Sequence, residues 1–133
     1  MSSKIKRKGT NKERELREKL FKKGILSFRV AGSGSTRKIP ALDLIVVYKN
    51  KAYGIEVKTM SKLKNVYLRE EQLFKLLTIS EYIEVWIAIY QRNIGWKFVK
   101  FKPLRVIPKD IIKKSMDLDQ FVEYVKSKKI DSI

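Results

Sequence analysis

The sequence predicts an α/β protein with a central mixed β-sheet flanked by helices, and three observations lead there. Short runs rich in β-branched and aromatic residues alternate with longer segments whose apolar residues recur every three to four positions. The elements read in the order α-β-β-β-α-β-β-α, which fits a sheet with helices packed on it. With 133 residues, 44% of them hydrophobic and no internal repeat, the chain is long enough for one domain with a real core.

Residues 1–9 carry Lys4, Lys6, Arg7 and Lys8 and read as a basic flexible arm; residues 10–133 read as the single folded domain. Thr10-Asn11-Lys12-Glu13 has the form of a capping box, in which hydroxyl and carboxylate each satisfy a backbone N–H at a helix start. The helix it opens runs to about residue 23 and stops at Gly24. Leu16 and Leu20 fall within about 60° of Glu13 around that helix, so Glu13 stands at the end of the apolar stripe. Residues 26–31 read as a first strand, with Leu26, Phe28 and Val30 on one face and Arg29 on the other. A Gly- and Ser-rich basic loop leads through Pro40 to strands at 41–48 and 52–59, joined by the turn-like Lys49-Asn50. A second helix near 69–80 presents Leu73, Phe74, Leu76 and Leu77 as its apolar side, with Gln72 one position away. Residues 83–90 and 96–101 are further strands turned at Asn93 and Gly95. Pro103 and Pro108 mark an irregular crossing before short helices near 109–115 and 118–129.

The first hairpin carries the chemistry. A two-residue loop pairs Tyr48 with Lys51 and so sets Asp43 opposite Glu56; a four-residue loop keeps the same register. Opposed like charges lie roughly 5 Å apart between Cβ atoms and repel, so a cation is expected between them. Carboxylate oxygens suit Mg²⁺, which takes one or two of them and fills its other positions with water and phosphate oxygens. Side chains alternate along a strand, so Lys58 shares a face with Glu56 and can orient or deprotonate a water or stabilise phosphate charge. The ordinary alternative for each acid is a half-exposed strand residue paired with a lysine or arginine.

Lysine and arginine number 31 against 14 acidic residues, a net charge of +17, and most of the excess lies in residues 1–101 with the carboxylate pair. Such a chain attracts polyanions, nucleic acid above all, with an affinity that falls steeply with salt. The absence of histidine and cysteine excludes imidazole catalysis, thiol nucleophiles, zinc–thiolate sites and disulfides. Carboxylate, lysine and hydroxyl chemistry remains. No run approaches ~20 apolar residues and no apolar stretch follows the basic N-terminus, so a soluble, cytoplasmic protein without a membrane partner is expected.

Four segments together resemble the archaeal Holliday-junction-resolving endonucleases of the PD-(D/E)xK nuclease superfamily. They are Arg7-Lys8-Gly9-x-x-x-Glu13-Arg14, the serine-rich basic loop from Ser33 through Arg37 and Lys38 to Asp43, Glu56-Val57-Lys58, and Tyr67-Leu68-Arg69-Glu70-Glu71-Gln72. The likeness covers roughly residues 7–76, and its specificity lies in the ordered set, because Glu-x-Lys alone is common on surface helices. Leu42 stands where a proline is expected before Asp43, with Pro40 displaced by two positions. The resemblance implies a restriction-endonuclease-like core with 10–133 as a nuclease domain, Mg²⁺ or Mn²⁺ as cofactor, and a homodimer making paired cuts across a four-way DNA junction, encoded by a cell or an archaeal virus. It further implies metal ligation by Asp43, Glu56 and the Val57 main-chain carbonyl, with Glu13 acting directly or through water, and catalysis by Lys58 with Ser33 and Gln72. Lys6, Arg7, Lys8, Arg14, Arg29, Arg37, Lys38 and Arg69 are then the DNA-phosphate contacts.

Two alternatives stand beside this reading: a nuclease of the same fold acting on other branched or duplex DNA, and a basic nucleic-acid-binding module without chemistry. For the module, the opposed carboxylates are an unexplained cost. Trp86 and Trp96 lie in apolar strand patterns and read as core or dimer-contact aromatics rather than base-stacking platforms. The dimer contact is expected in the carboxy-terminal third, where Ile83, Val85, Ile87 and Ile89 alternate against the tryptophans.

Overall fold

A computed structural model describes residues 2–30 and 39–127, with side chains from residue 11 onward. The chain runs through α1 (Ser2–Lys22), β1 (Leu26–Arg29), β2 (Leu44–Tyr48), β3 (Lys51–Met60), β4 (Val66–Tyr67), α2 (Glu70–Ser80), β5 (Glu84–Gln91), β6 (Gly95–Lys100), β7 (Val106–Ile107), α3 (Lys109–Lys114) and α4 (Leu118–Ser127). Five strands form the main sheet in the order β1-β2-β3-β5-β6. Among the described strands only β3 and β5 run parallel, joined by the crossover that contains α2; their neighbours pair antiparallel. Strands β4 and β7 make a separate two-stranded ribbon. The expected mixed sheet with flanking helices is therefore the observed fold.

Each face of the sheet has its own core. On one, Leu16 and Leu20 of α1 and Phe121, Val122 and Val125 of α4 cover Leu44, Val46, Ile55, Trp86, Ala88 and Phe98. On the other, Leu76 and Ile112 from α2 and α3 cover Leu42, Val85, Ile87 and Ile89. Strand β5 is thus buried on both sides, which is why its sequence is nearly continuous in apolar residues rather than alternating. Burying a leucine such as Leu16 or Leu20 contributes about 1.5–3 kcal/mol. Trp86 packs edge-on against Phe121 and Tyr124 with centroids 5.2 and 5.1 Å away, and Phe98 stacks on Phe121 at 4.2 Å. Both tryptophans are core residues.

Helix α1 ends in a Schellman turn: Ile25 N–H donates to the Leu20 carbonyl at 2.9 Å and Gly24 N–H to that of Phe21 at 3.0 Å. Gly24 has φ +87°, a conformation that disfavours any side chain. The start of the helix differs from expectation. It begins at Ser2, so Thr10-Asn11-Lys12-Glu13 lies inside the helix rather than at its start. Lysine and arginine are good helix formers, and a run of them extends the helix past a threonine that imitates a cap.

Three further expectations are corrected. Strand β1 stops at Arg29, and its buried face is the one bearing Ser27, while Leu26 and Phe28 are exposed; α1 packs on this edge strand. On α2 only Leu76 is fully buried and Phe74 faces water at 72% exposure. Of the residues expected to carry the dimer contact, Val85, Trp86, Ile87, Ile89 and Trp96 are buried in the chain's own core and Ile83 is half-buried.

Candidate active site

The register of the first hairpin positions the acids. Tyr48 pairs with Lys51 across the two-residue turn, and the ladder continues to Leu44 opposite Ile55. The next step of that ladder sets Asp43 beside Glu56, on the sheet face that α2 covers. Two hydrogen bonds fix Asp43: its carbonyl accepts from Val30 N–H at 3.0 Å, and its Oδ2 accepts from Val57 N–H at 2.8 Å.

Glu56 is only 5% exposed. Its Oε2 lies 2.8 Å from Lys75 Nζ, whereas Oε1 is buried with no hydrogen-bond partner among the described residues. A buried carboxylate oxygen left unsatisfied costs free energy unless something positive approaches it. Asp43 reports the same imbalance. Burial, then the neighbouring Glu56 charge, and more weakly Glu13, push its carboxyl up to about 7, against the opposing pull of the Val57 N–H. Glu13 Oε2 in turn holds Arg29 Nε at 2.9 Å at the rim. Among the described residues no three acidic side chains form a ready cage for an ion. The two carboxylates that do converge, Asp43 and Glu56, are hard oxygen donors, a chemistry that suits a divalent cation such as Mg²⁺ or Mn²⁺ that keeps several waters.

Lys58 follows Glu56 on the same strand face, half-buried at the mouth of a cleft of about 690 Å³ lined also by Lys64, Asn65, Tyr67 and Lys109. A second cleft of about 590 Å³ shares Thr59, Met60 and Lys64 with it and adds Lys12, Tyr90 and Arg92. Lys12 is pinned by Glu15 at 2.9 Å and by the Tyr90 ring at 3.7 Å from its centroid. Basic side chains thus line a continuous track past Lys58, suited to a phosphate backbone. A separate apolar groove of about 410 Å³ between β6 and α3 contains none of the acidic residues.

The structure brings Glu13, Arg29, Asp43, Glu56 and Val57 together, with Lys58 beside them. It turns Gln72 elsewhere: the Gln72 Oε1 accepts the Arg69 N–H at 3.2 Å as part of the α2 cap. Arg14 lines a smaller cleft with Arg17 and Phe21, and Arg69 is exposed at the N-cap. Ser33, Arg37 and Lys38, and the side chains of Lys6, Arg7 and Lys8, lie outside the described residues. Sequence reasoning missed Lys75, Lys12, Lys64, Arg92 and Lys109. The available signal for Lys75 was its place next to inward-facing Leu76, one helical turn beyond Gln72.

The archaeal Holliday junction resolvase (Hjc) family profile matches residues 4–130. The chain belongs to that family. A crossover junction endodeoxyribonuclease Hjc from Sulfolobus acidocaldarius is 31% identical over 133 residues, covering 92% of each chain. The Hjc of Sulfurisphaera tokodaii is 28% identical over 92% of this chain and 91% of its own. The crystal structure of Archaeoglobus fulgidus Hjc, a Holliday junction resolvase from an archaeal hyperthermophile, superposes with a TM-score of 0.74 at 24% identity, covering 86% of this chain and 99% of that one. That likeness is of fold. Among the described residues, no helix of this Hjc-family chain is long and apolar enough to cross a membrane.

Proposed function

We propose that this protein is a metal-dependent endonuclease that resolves four-way DNA junctions by paired phosphodiester cuts, with Asp43 and Glu56 at its centre. One observation carries the reading: two carboxylates, one with its carboxyl raised to about 7 and one with a buried oxygen that has no hydrogen-bond partner among the described residues, converge in a chain of net charge +17. Family membership supports the substrate. Asp43, Glu56 and the Val57 carbonyl would hold Mg²⁺, with Mn²⁺ able to substitute, and Glu13 would support it through water. Bound there, the metal supplies Lewis-acid activation of a water and charge neutralisation at the phosphate. Lys58 orients the attacking water and stabilises charge on the phosphate, a role no histidine is present to fill. The Val57 N–H keeps Asp43 aimed inward. Lys12, Lys64, Arg92 and Lys109, together with the arginines and lysines expected from the sequence, hold the DNA backbone without reading base edges.

A junction presents two symmetry-related strands, and a closed two-fold dimer places one site at each. The reading therefore includes a homodimer. Phe74 and Tyr82, exposed at 72% and 80%, are apolar surface left in water by the monomer. The protein acts in the cytoplasm, where its DNA substrate lies.

A supercoiled plasmid with an extruded cruciform tests the function. Linear product from one binding event, together with a light-scattering mass near twice 15.7 kDa, is the expected result. A monomer that yields mostly nicked circles would assign the chain to general nuclease action instead.

A further inference from the structure

We propose that Lys75 is a resident counter-cation of Glu56 that a divalent metal displaces, so that this lysine sets how weakly the free protein holds its metal. The proposal rests on the reading of Glu56 as a metal ligand. The Lys75 ammonium sits 2.8 Å from Glu56 Oε2, on the same carboxylate whose Oε1 has no hydrogen-bond partner among the described residues. Two cations on one buried carboxylate repel strongly, because a protein site screens charge far less than water does. A metal drawn to Oε1 therefore favours release of Lys75 from Oε2.

The surroundings let the lysine leave. Its base is fixed, because Leu76 beside it on α2 is fully buried. Its tip is not enclosed: the side chain keeps 27% exposure against 6% for Glu56. Four flexible methylenes can swing the ammonium toward solvent, where phosphate offers a new partner. A merely structural ion pair predicts something different. Removing one partner of such a pair leaves the other charge buried and unpaired, and the protein is weakened whether or not metal is present.

The test follows Mn²⁺ binding to DNA-free protein by the electron paramagnetic resonance of free Mn²⁺, with thermal melting in the presence and absence of the ion. The proteins are wild type, Lys75→Gln, Lys75→Met, Lys75→Arg and Glu56→Gln. Glutamine can still donate an N–H to Glu56, so Lys75→Gln guards against a methionine variant that does not fold. Both neutral variants should bind Mn²⁺ on the order of tenfold more tightly or better. Lys75→Arg should stay near wild type, and the lower melting temperature of metal-free Lys75→Gln should recover at saturating Mn²⁺. Unchanged or weaker Mn²⁺ binding by Lys75→Gln, with Glu56→Gln impaired, overturns the proposal and leaves the metal site standing. Wild-type Mn²⁺ affinity in Glu56→Gln would instead remove the metal site, and the proposal with it.

Discussion

The backbone N–H of Val57 donates to Asp43 Oδ2 at 2.8 Å, tying the entry to β2 to the centre of β3 within one hairpin. The bond spans both halves of the acidic motif and fixes the direction of one carboxylate from the residue next to the other. It also favours the ionised form of Asp43, yet burial and the Glu56 charge outweigh it. The site is therefore built rigidly around a repulsion.

That repulsion predicts a pH dependence. A carboxyl raised from 3.8 to about 7 on folding stays protonated in the native state where the unfolded chain has already lost its proton. The unfolded state then binds fewer protons, so metal-free stability falls as pH rises from about 4 to about 7 and levels off above it. Asp43→Asn should flatten this slope in denaturation curves measured in EDTA. Metal must displace the proton, so Mn²⁺ affinity should climb up to tenfold per pH unit through the same window and level off near pH 7.

Gly54 predicts a packing effect that reaches the site. A Cβ there would collide with Leu42 Cδ1 and lie 3.1 Å from Ile83 Cδ1. Leu42 directly precedes Asp43, so Gly54→Ala should cost about 1–3 kcal/mol in denaturant melts and weaken Mn²⁺ binding as well. Stability loss with unchanged metal binding would show that Leu42 can shift without moving Asp43.

Glu13 and Arg29 form a partly exposed pair, 14% and 46% accessible, which contributes at most about 1 kcal/mol to folding. Glu13→Gln should leave the melting temperature almost unchanged and lower single-turnover cleavage by about 10- to 100-fold, as loss of a residue that supports metal ligands does. Cleavage within a factor of two of wild type would reduce Glu13 to a surface acid.

The basic track predicts salt behaviour. If Lys64, Arg92 and Lys109 each meet a phosphate, log affinity for a junction should fall linearly with log salt, and each substitution to alanine should make the slope shallower by about 0.9. Salt-independent binding would contradict a backbone grip.

Much of the site was legible because a tight turn and strict alternation make hairpin register arithmetic: Tyr48 beside Lys51 commits Asp43 to Glu56 without any knowledge of the rest of the fold. The strand and helix order was legible for the same local reason. What escaped depended on partners distant in sequence. The buried face of β1 is decided by which side α1 covers, so Ser27 is inside while Leu26 and Phe28 face out against their hydropathy. Lys75 reads as an ordinary helix lysine until the crossover lays α2 over β3. Gln72 spends its side chain on a local cap, which competes with any inward role. The helix start was hidden by a threonine with the right spacing in a segment already helical by composition.

The most direct test of the central claim uses a four-way junction labelled on each strand in turn, with wild type and Glu56→Gln, in Mg²⁺ or EDTA. Wild type should make two symmetrical cuts in Mg²⁺, none in EDTA, and should leave a matching duplex intact. Glu56→Gln should bind the junction as tightly as wild type and cut it about a thousandfold more slowly or worse. Cleavage in EDTA, or wild-type cutting by Glu56→Gln, would contradict a metal-dependent junction nuclease centred on Asp43 and Glu56.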